Sequence, residues 1–263
     1  MTTGLISEIQ TYSIKDGPGI RSTVFMVGCS LRCKWCCNPE LMLPGKKTMH
    51  FTKNNHTFTK EVGYEIESHA LYEKLMRDKV FYEESNGGVT FSGGEPGLQA
   101  EFVNETASYL KQNGIHTALD TCGYVSNETM NLAIENMDLI LFDLKAYDTK
   151  IHEICTGKEN HQILNNLYAI AEKGKDIWIR MVIVPGWNDD LSDIEKRFDV
   201  IHNLESVIKR VDVLPYHTLG EGKYDRLSIP YPLKGTPYVS ESYLDKLKDL
   251  AIRKNIEIHI EQI

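Results

Sequence analysis

From Phe91 onward, short β-branched and aliphatic runs alternate with amphipathic runs of helical length, and this alternation restricts the fold more than any other feature. A strand followed by a helix, repeated along a chain, builds a parallel sheet covered by helices. Strands are expected near residues 23–27, 89–91, 117–119, 139–142, 178–184 and 210–214, each an apolar run that stops at glycine or polar punctuation. Helices are expected near 65–77, 100–112, 127–135, 162–173, 191–203 and 240–254, with a last short strand at 256–260. In 100–112, Phe102, Val103, Ala107 and Leu110 recur at helical spacing, so that face packs on the sheet. Residues 45–63 are polar and lysine-rich without a clear period, which reads as an irregular connection or small insertion spanning about 40–63. The expected architecture is α/β, with six parallel strands in one domain covering residues 1–263.

Several function classes lose support at once. A net charge of -8 supplies no electrostatic footprint for nucleic acid. The first ten residues hold neither a basic n-region nor a long apolar run, and no later segment is apolar for the roughly 18 residues a membrane span requires. No membrane association and a cytoplasmic location are therefore expected.

Four of the six cysteines crowd into Cys29, Cys33, Cys36 and Cys37. Such clustering points to metal ligation rather than disulfides. Cys29, Cys33 and Cys36 form a C-x3-C-x2-C run just after the first expected parallel strand, where α/β folds carry their chemistry. Three thiolates can hold three irons of a cubane and leave the fourth open to a substrate. The bland alternative is structural zinc, but no second C-x-x-C or H-x-x-x-H pair completes such a site. Cys37 reads as non-ligating, because adjacent residues seldom aim both side chains at one cluster. Cys122 and Cys155 stand alone and read as small buried hydrophobes.

The cysteine run, followed by Ser92-Gly93-Gly94-Glu95-Pro96 at the end of a strand, resembles the radical S-adenosylmethionine superfamily. A narrower resemblance covers nearly the whole chain. It is carried by 16–21 (DGPGIR), 38–40 (NPE), 87–90 (GGVT), 119–121 (LDT), 143–145 (DLK), 178–180 (WIR) and 214–217 (LPYH), and it is to the glycyl radical enzyme activases, the pyruvate formate-lyase activating enzyme family. That resemblance implies a partial (β/α)6 barrel, in agreement with the strand count. It also implies an oxidoreductase holding one [4Fe-4S] cluster on Cys29, Cys33 and Cys36. The enzyme would cleave S-adenosylmethionine reductively and abstract hydrogen from a glycine of a partner protein, with flavodoxin or ferredoxin as electron donor.

By the same resemblance, Trp35, Cys36, Cys37, Gly94, Asp143, Leu144, Lys145 and His217 lie against S-adenosylmethionine. Gly93 and Glu95 of the same loop are further candidate cofactor contacts, and Asp120 and Arg180 resemble family positions at the barrel mouth, Asp120 being a candidate ligand of a monovalent cation. Asp16 is placed beside the incoming glycine loop of the partner, although 16–19 also reads simply as a turn. The chain departs from many activases in two places. Residues 40–91 contain no cysteine, so no ferredoxin-like insert with auxiliary clusters can form there. Cys37 stands where a histidine is common.

Two rival functions remain open to test: radical chemistry on a small molecule, and a non-catalytic iron-sulfur or zinc scaffold. The partner is also open. Trp35 and residues 78–82 (DKVFY) lean toward a dehydratase, decarboxylase or C–S lyase, whereas the missing insert leans toward pyruvate formate-lyase.

Overall fold

The computed structural model describes residues 1–53 and 56–261. Its strands, in chain order, are β1 (Thr3–Ser13), β2 (Arg21–Met26), β3 (Lys47–Lys53), β4 (His56–Val62), β5 (Tyr64–Glu67), β6 (Gly88–Gly93), β7 (His116–Thr121), β8 (Leu139–Asp143), β9 (Asp176–Ile183), β10 (Ile208–Pro215) and β11 (His259–Ile260). The helices are α1 (Ser68–Leu75), α2 (Lys79–Ser85), α3 (Ala100–Gln112), α4 (Asn127–Ala133), α5 (Thr149–Thr156), α6 (His161–Glu172), α7 (Leu191–Asn203), α8 (Glu221–Arg226) and α9 (Glu241–Arg253).

Strands β2, β6, β7, β8, β9 and β10 lie side by side in that order and pair in parallel, as the repeat predicts. They form the partial (β/α)6 barrel. β1 and β5 extend it antiparallel at one flank, and β11 extends it in parallel at the other. Val24, Phe91, Leu119, Ile140, Ile179 and Val213 are fully or almost fully buried in a core shared with Phe102, Leu110, Leu167, Phe198 and Leu247 of the surrounding helices. Helix caps follow local chemistry: Asp148, Asp190 and Ser240 each accept backbone N–H bonds at the start of α5, α7 and α9.

The 16–21 segment packs against β2 and β6. Arg21 is fully buried, donating to Thr90 Oγ1 at 2.6 Å and Val89 O at 2.6 Å, while Thr90 Oγ1 donates to Asp16 O at 2.6 Å. Burial lowers the Arg21 pKa to about 10, with Asp16 opposing. Gly19 fits here because a Cβ would strike the backbone of Ser85 and Gly87.

Several elements differ from the sequence reading. Residues 45–63 are not an irregular connection throughout: β3 and β4 form an antiparallel hairpin, with Phe51 stacked on Phe58 at 5.4 Å. The expected helix 65–77 begins instead as β5, because Ile66 is drawn under β1 and the residues beside it stay exposed. The strand β1 was not expected, since its alternation mixes polar, half-exposed positions with apolar ones. No helix among the described residues is long and apolar enough to cross a membrane.

Candidate active site

The loop after β2 carries Cys29, Cys33 and Cys36, and the main chain of three other segments fixes its path. Gly28 N donates to Leu41 O at 2.8 Å and Cys29 N to Met42 O at 3.1 Å. Arg32 N reaches Thr156 O at 2.8 Å and Lys34 N reaches Cys155 O at 3.0 Å, both at the end of α5. Glu95 N donates to Gly28 O at 2.7 Å from the loop after β6. Gly94 permits that approach, because a Cβ there would overlap Gly28 O.

The three thiols line one chamber of about 190 Å³ together with Trp35, Cys37, Gly93, Gly94, Asp120, Cys122, Asp143, Lys145 and Arg180. Burial holds the proton on Cys33, whose pKa is pushed up to about 12, and raises Cys36 further. Thiols so disposed give up their protons when a metal takes the sulfur. Among the described residues no three His, Cys, Asp or Glu side chains converge on one point as a single zinc requires. The three cysteines come from one short loop and line one chamber, and each thiolate can take its own iron of a cluster. The donor set therefore fits a [4Fe-4S] cluster with one iron free of protein sulfur.

Charged groups on neighbouring strand ends form the chamber wall opposite the cysteines. Lys145 Nζ lies 2.6 Å from Asp143 Oδ2, and the ammonium is almost completely enclosed. Burial alone would favour loss of its proton, but Asp143 and the thiols nearby raise its pKa and keep it charged. Its carbonyl accepts from Asn188 Nδ2 at 2.9 Å, so the backbone beneath the ammonium is pinned. Arg180 Nη1 lies 3.0 Å from Asp120 Oδ2, which also accepts from Ser92 Oγ at 2.6 Å. Burial raises the Asp120 pKa to about 6, against the pull of Arg180.

A second cavity of about 470 Å³ opens outward from the chamber, sharing Trp35, Cys37, Arg180, Val182 and Leu214 with it. Its rim carries Lys15, Asp16, His217, Leu219 and Glu261. Lys15 Nζ meets Glu261 Oε2 at 3.2 Å, spanning from the turn after β1 to the end of β11. Cys37 Sγ lies 3.9 Å from His217 Nε2, and His217 Nδ1 accepts from Leu219 N at 3.3 Å. Burial, then Lys15, lowers the His217 pKa, which favours the neutral ring.

The model of the radical SAM superfamily matches residues 23–201, more than two thirds of the chain. The chain belongs to the radical SAM superfamily. A pyruvate formate-lyase-activating enzyme of Clostridium pasteurianum is 36% identical over 263 residues, covering 100% of this chain and 99% of the relative. A choline trimethylamine-lyase activating enzyme of Oleidesulfovibrio alaskensis is 34% identical, covering 95% of each. A solved domain of a pyruvate-formate lyase-activating enzyme from Bacteroides vulgatus superposes with a TM-score of 0.56 at 28% identity, covering 67% of this chain and 99% of that one. As a radical SAM protein, this chain uses a [4Fe-4S] cluster and S-adenosylmethionine.

Most residues singled out from sequence meet in these two connected cavities: Cys29, Cys33, Cys36, Trp35, Cys37, Gly93, Gly94, Asp120, Asp143, Lys145 and Arg180 in the chamber, and Asp16 and His217 in the mouth. Two do not present side chains there. Leu144 is buried in the core, and only its backbone, donating to Arg180 O at 2.9 Å, runs beside the site. Glu95 is fully buried behind the wall, where its carboxylate accepts from Gly97 N, Thr121 Oγ1 and Cys122 N. Asp16 holds its turn as well as facing the mouth, for Oδ2 accepts from Ser13 Oγ at 2.6 Å and Thr23 Oγ1 at 2.7 Å.

Sequence reasoning missed the brace supplied by α8. Lys223 Nζ donates to Asn38 Oδ1 and Glu40 Oε1, both at 2.6 Å, and Tyr224 OH donates to Cys36 O at 3.1 Å. The available signal was Glu40 itself, a carboxylate beside a cysteine loop that needs a cation when buried. Cys122, read from sequence as an inert buried thiol, lines the chamber. Cys155 is fully buried with its thiol on Trp187 O, as expected.

Proposed function

We propose that this chain is a glycyl radical enzyme activase: it cleaves S-adenosylmethionine reductively and abstracts hydrogen from a glycine of a partner protein. The observation that carries the reading is the three-thiol chamber opening into a wider mouth, in a chain whose full-length relatives are named as activating enzymes of several glycyl radical systems. When bound, the cluster and S-adenosylmethionine supply the electron transfer and the hydrogen-abstracting chemistry. The protein supplies position and exclusion of water.

Cys29, Cys33 and Cys36 hold the cluster. Gly93 and Gly94 keep that wall free of side chains, so a cofactor backbone group can lie close. The Lys145 ammonium offers a cation to a carboxylate, and Asp143 an acceptor to hydroxyl groups. Trp35, Cys37 and His217 border the passage outward, and Asp120 with Arg180 forms its charged floor. Asp16 stands where a glycine-bearing loop would arrive through the mouth. Flavodoxin or ferredoxin delivers the electron, and the reducing cytoplasm suits both donor and free thiols.

The test is anaerobic reconstitution followed by reaction with S-adenosylmethionine and a one-electron reductant. A glycyl radical enzyme, a glycine-loop peptide and a panel of small molecules serve as alternative substrates. The expected result is 5'-deoxyadenosine coupled to a glycine-centred radical seen by electron paramagnetic resonance. Coupled turnover of a small molecule, with none of the protein or peptide, would overturn the activase reading. Absence of cofactor cleavage would leave only a scaffold.

A further inference from the structure

Residues 43–63 follow the cysteine loop and take no part in the site described above. Within them, residues 46–60 hold four lysines and no carboxylate, in a chain whose net charge is -8. The start of this stretch rests on the cysteine loop itself. Leu43 is 50% exposed, Pro44 is exposed, and Leu98, in the turn between β6 and α3, is 50% exposed. A Cβ at Gly28, the residue before Cys29, would stand 3.8 Å from Leu98 Cδ1 and 3.9 Å from Pro44 Cα. Met42 lines the chamber, and its carbonyl accepts from Cys29 N at 3.1 Å. An uncovered apolar patch thus lies on the main chain one residue from Cys29. Lysines rim it: Lys47 Nζ donates to Pro44 O at 2.7 Å, and Lys46 beside it is exposed. Lys60, also exposed, pairs across the β3–β4 hairpin with Met49, which packs with Val27 and Leu41 at the root of the loop. Glu61 follows Lys60 and so falls on the opposite face of the hairpin.

We propose that Leu43, Pro44 and Leu98, rimmed by Lys46, Lys47 and Lys60, are the docking surface of the electron donor, and that this donor is an acidic flavodoxin. The inference rests on the reading of the chain as an enzyme that takes up one electron at a cluster held by Cys29. An apolar centre with a polar rim is the anatomy of a protein interface. An acidic carrier is repelled by the net charge of this chain, and a lysine-rich stretch free of carboxylates steers it to one face. The exposed edge of a flavin is apolar, so it suits the leucine and proline centre. On docking, one electron passes from the reduced flavin to the cluster by way of the Gly28 and Cys29 main chain. The flavin is oxidised, the cluster is reduced, and no bond is made or broken. None of these residues lines the mouth, so the donor and a glycine-bearing loop can be bound together.

The experiment measures binding of oxidised flavodoxin to the reconstituted chain by surface plasmon resonance at low and high salt. Beside it, 5'-deoxyadenosine formation is driven in turn by reduced flavodoxin, reduced ferredoxin and dithionite. The variants are the pair Lys46→Glu with Lys60→Glu, and Leu43→Ser. In the lysine pair the flavodoxin Kd should rise about tenfold at low salt, and the gap should narrow at high salt, where charge is screened. Leu43→Ser should weaken binding at both salts. Iron content and the dithionite-driven rate should stay those of the unaltered chain. An unchanged flavodoxin Kd in both variants would overturn the proposal. So would a loss confined to the ferredoxin-driven rate, or weaker binding of a glycyl radical enzyme with flavodoxin binding intact, since each gives the surface to another partner. An equal loss under dithionite would overturn it too, by showing damage to the cysteine loop. Failure of the activase reading shows separately, as cofactor cleavage that never yields a glycyl radical.

Discussion

The inner chamber and the outer mouth are held together by different means. Around Cys29 to Cys36 the contacts are main chain to main chain, from Leu41, Met42, Cys155, Thr156 and Glu95, and they do not depend on flexible side chains. At the mouth the contacts run between side chains, as in Lys15 with Glu261, or Cys37 with His217, and Leu219 is 75% exposed beside them. An exposed pair such as Lys15 and Glu261 contributes only about 0–1 kcal/mol. The chamber is therefore fixed in position and the mouth is compliant. That division suits an enzyme whose reacting atoms must be placed closely while its substrate is a polypeptide loop that has to enter and leave.

The largest expected effect lies in the chamber. Cys33→Ala should abolish iron loading and S-adenosylmethionine cleavage, because it removes the middle one of the three thiolates on the loop. Cys155→Ala, at a fully buried thiol that bonds Trp187 O, should retain both. Iron analysis with a 5'-deoxyadenosine assay checks the pair, and equal loss at Cys155 would break the boundary drawn here.

A second effect sits on the wall shared by chamber and mouth. Asp120 has its pKa raised to about 6 by burial, so the folded chain holds a proton there more tightly than the unfolded chain does. Stability from this group is fully present below about pH 4 and is lost as pH rises to about 6, with a ceiling of about 3 kcal/mol for a shift of this size. Asp120→Asn cannot titrate. Its urea midpoint should change less between pH 4 and pH 7 than that of the unaltered chain, even though Arg180 loses its partner and lowers stability at every pH. An equal slope in both proteins would show that Asp120 is charged throughout.

At the mouth, Asp16→Ala should lower glycyl radical yield about tenfold at limiting partner, the loss expected for about 1.4 kcal/mol of contact. Cofactor cleavage without partner should be largely preserved. The carboxylate also holds Ser13 and Thr23, so Asp16→Asn, which keeps an acceptor for both hydroxyls, separates turn from contact. A parallel fall in both activities in Asp16→Ala would make the residue structural only.

The same contrast explains what the sequence disclosed. Helices α3 and α7 were legible to the residue, because their apolar spacing is local and strong. The cysteine run was legible because three ligands within eight residues need no tertiary knowledge. By contrast, β1, the β3–β4 hairpin and the short helices α5 and α8 acquire their form or role from distant partners. Glu95 and Cys122 interact across 27 positions, Lys223 and Glu40 across 183. No local pattern announces such contacts. The resemblance placed Asp143 and Lys145 against S-adenosylmethionine, and the end of β8 and its loop bring them to the chamber. The bland alternative for the two is a surface ion pair; they do pair, with the ammonium buried.

The smallest effect is expected at Cys37, the residue that adjoins the last cluster cysteine and yet belongs to the mouth. Its thiol points toward His217 Nε2 and the Trp35 carbonyl, while Cys36 lines the chamber and has its carbonyl held by Tyr224 OH. Adjacent positions thus face different regions, and only Cys36 has its backbone clamped by α8. Cys37→Ser should keep the iron content and the reduced-cluster spectrum of the unaltered chain, since a hydroxyl can make the same weak contacts. Cys36→Ser should lose iron. Comparable iron loss in both variants would make Cys37 a ligand as well, although it borders both chamber and mouth, and the ligand assignment would no longer stop at Cys36.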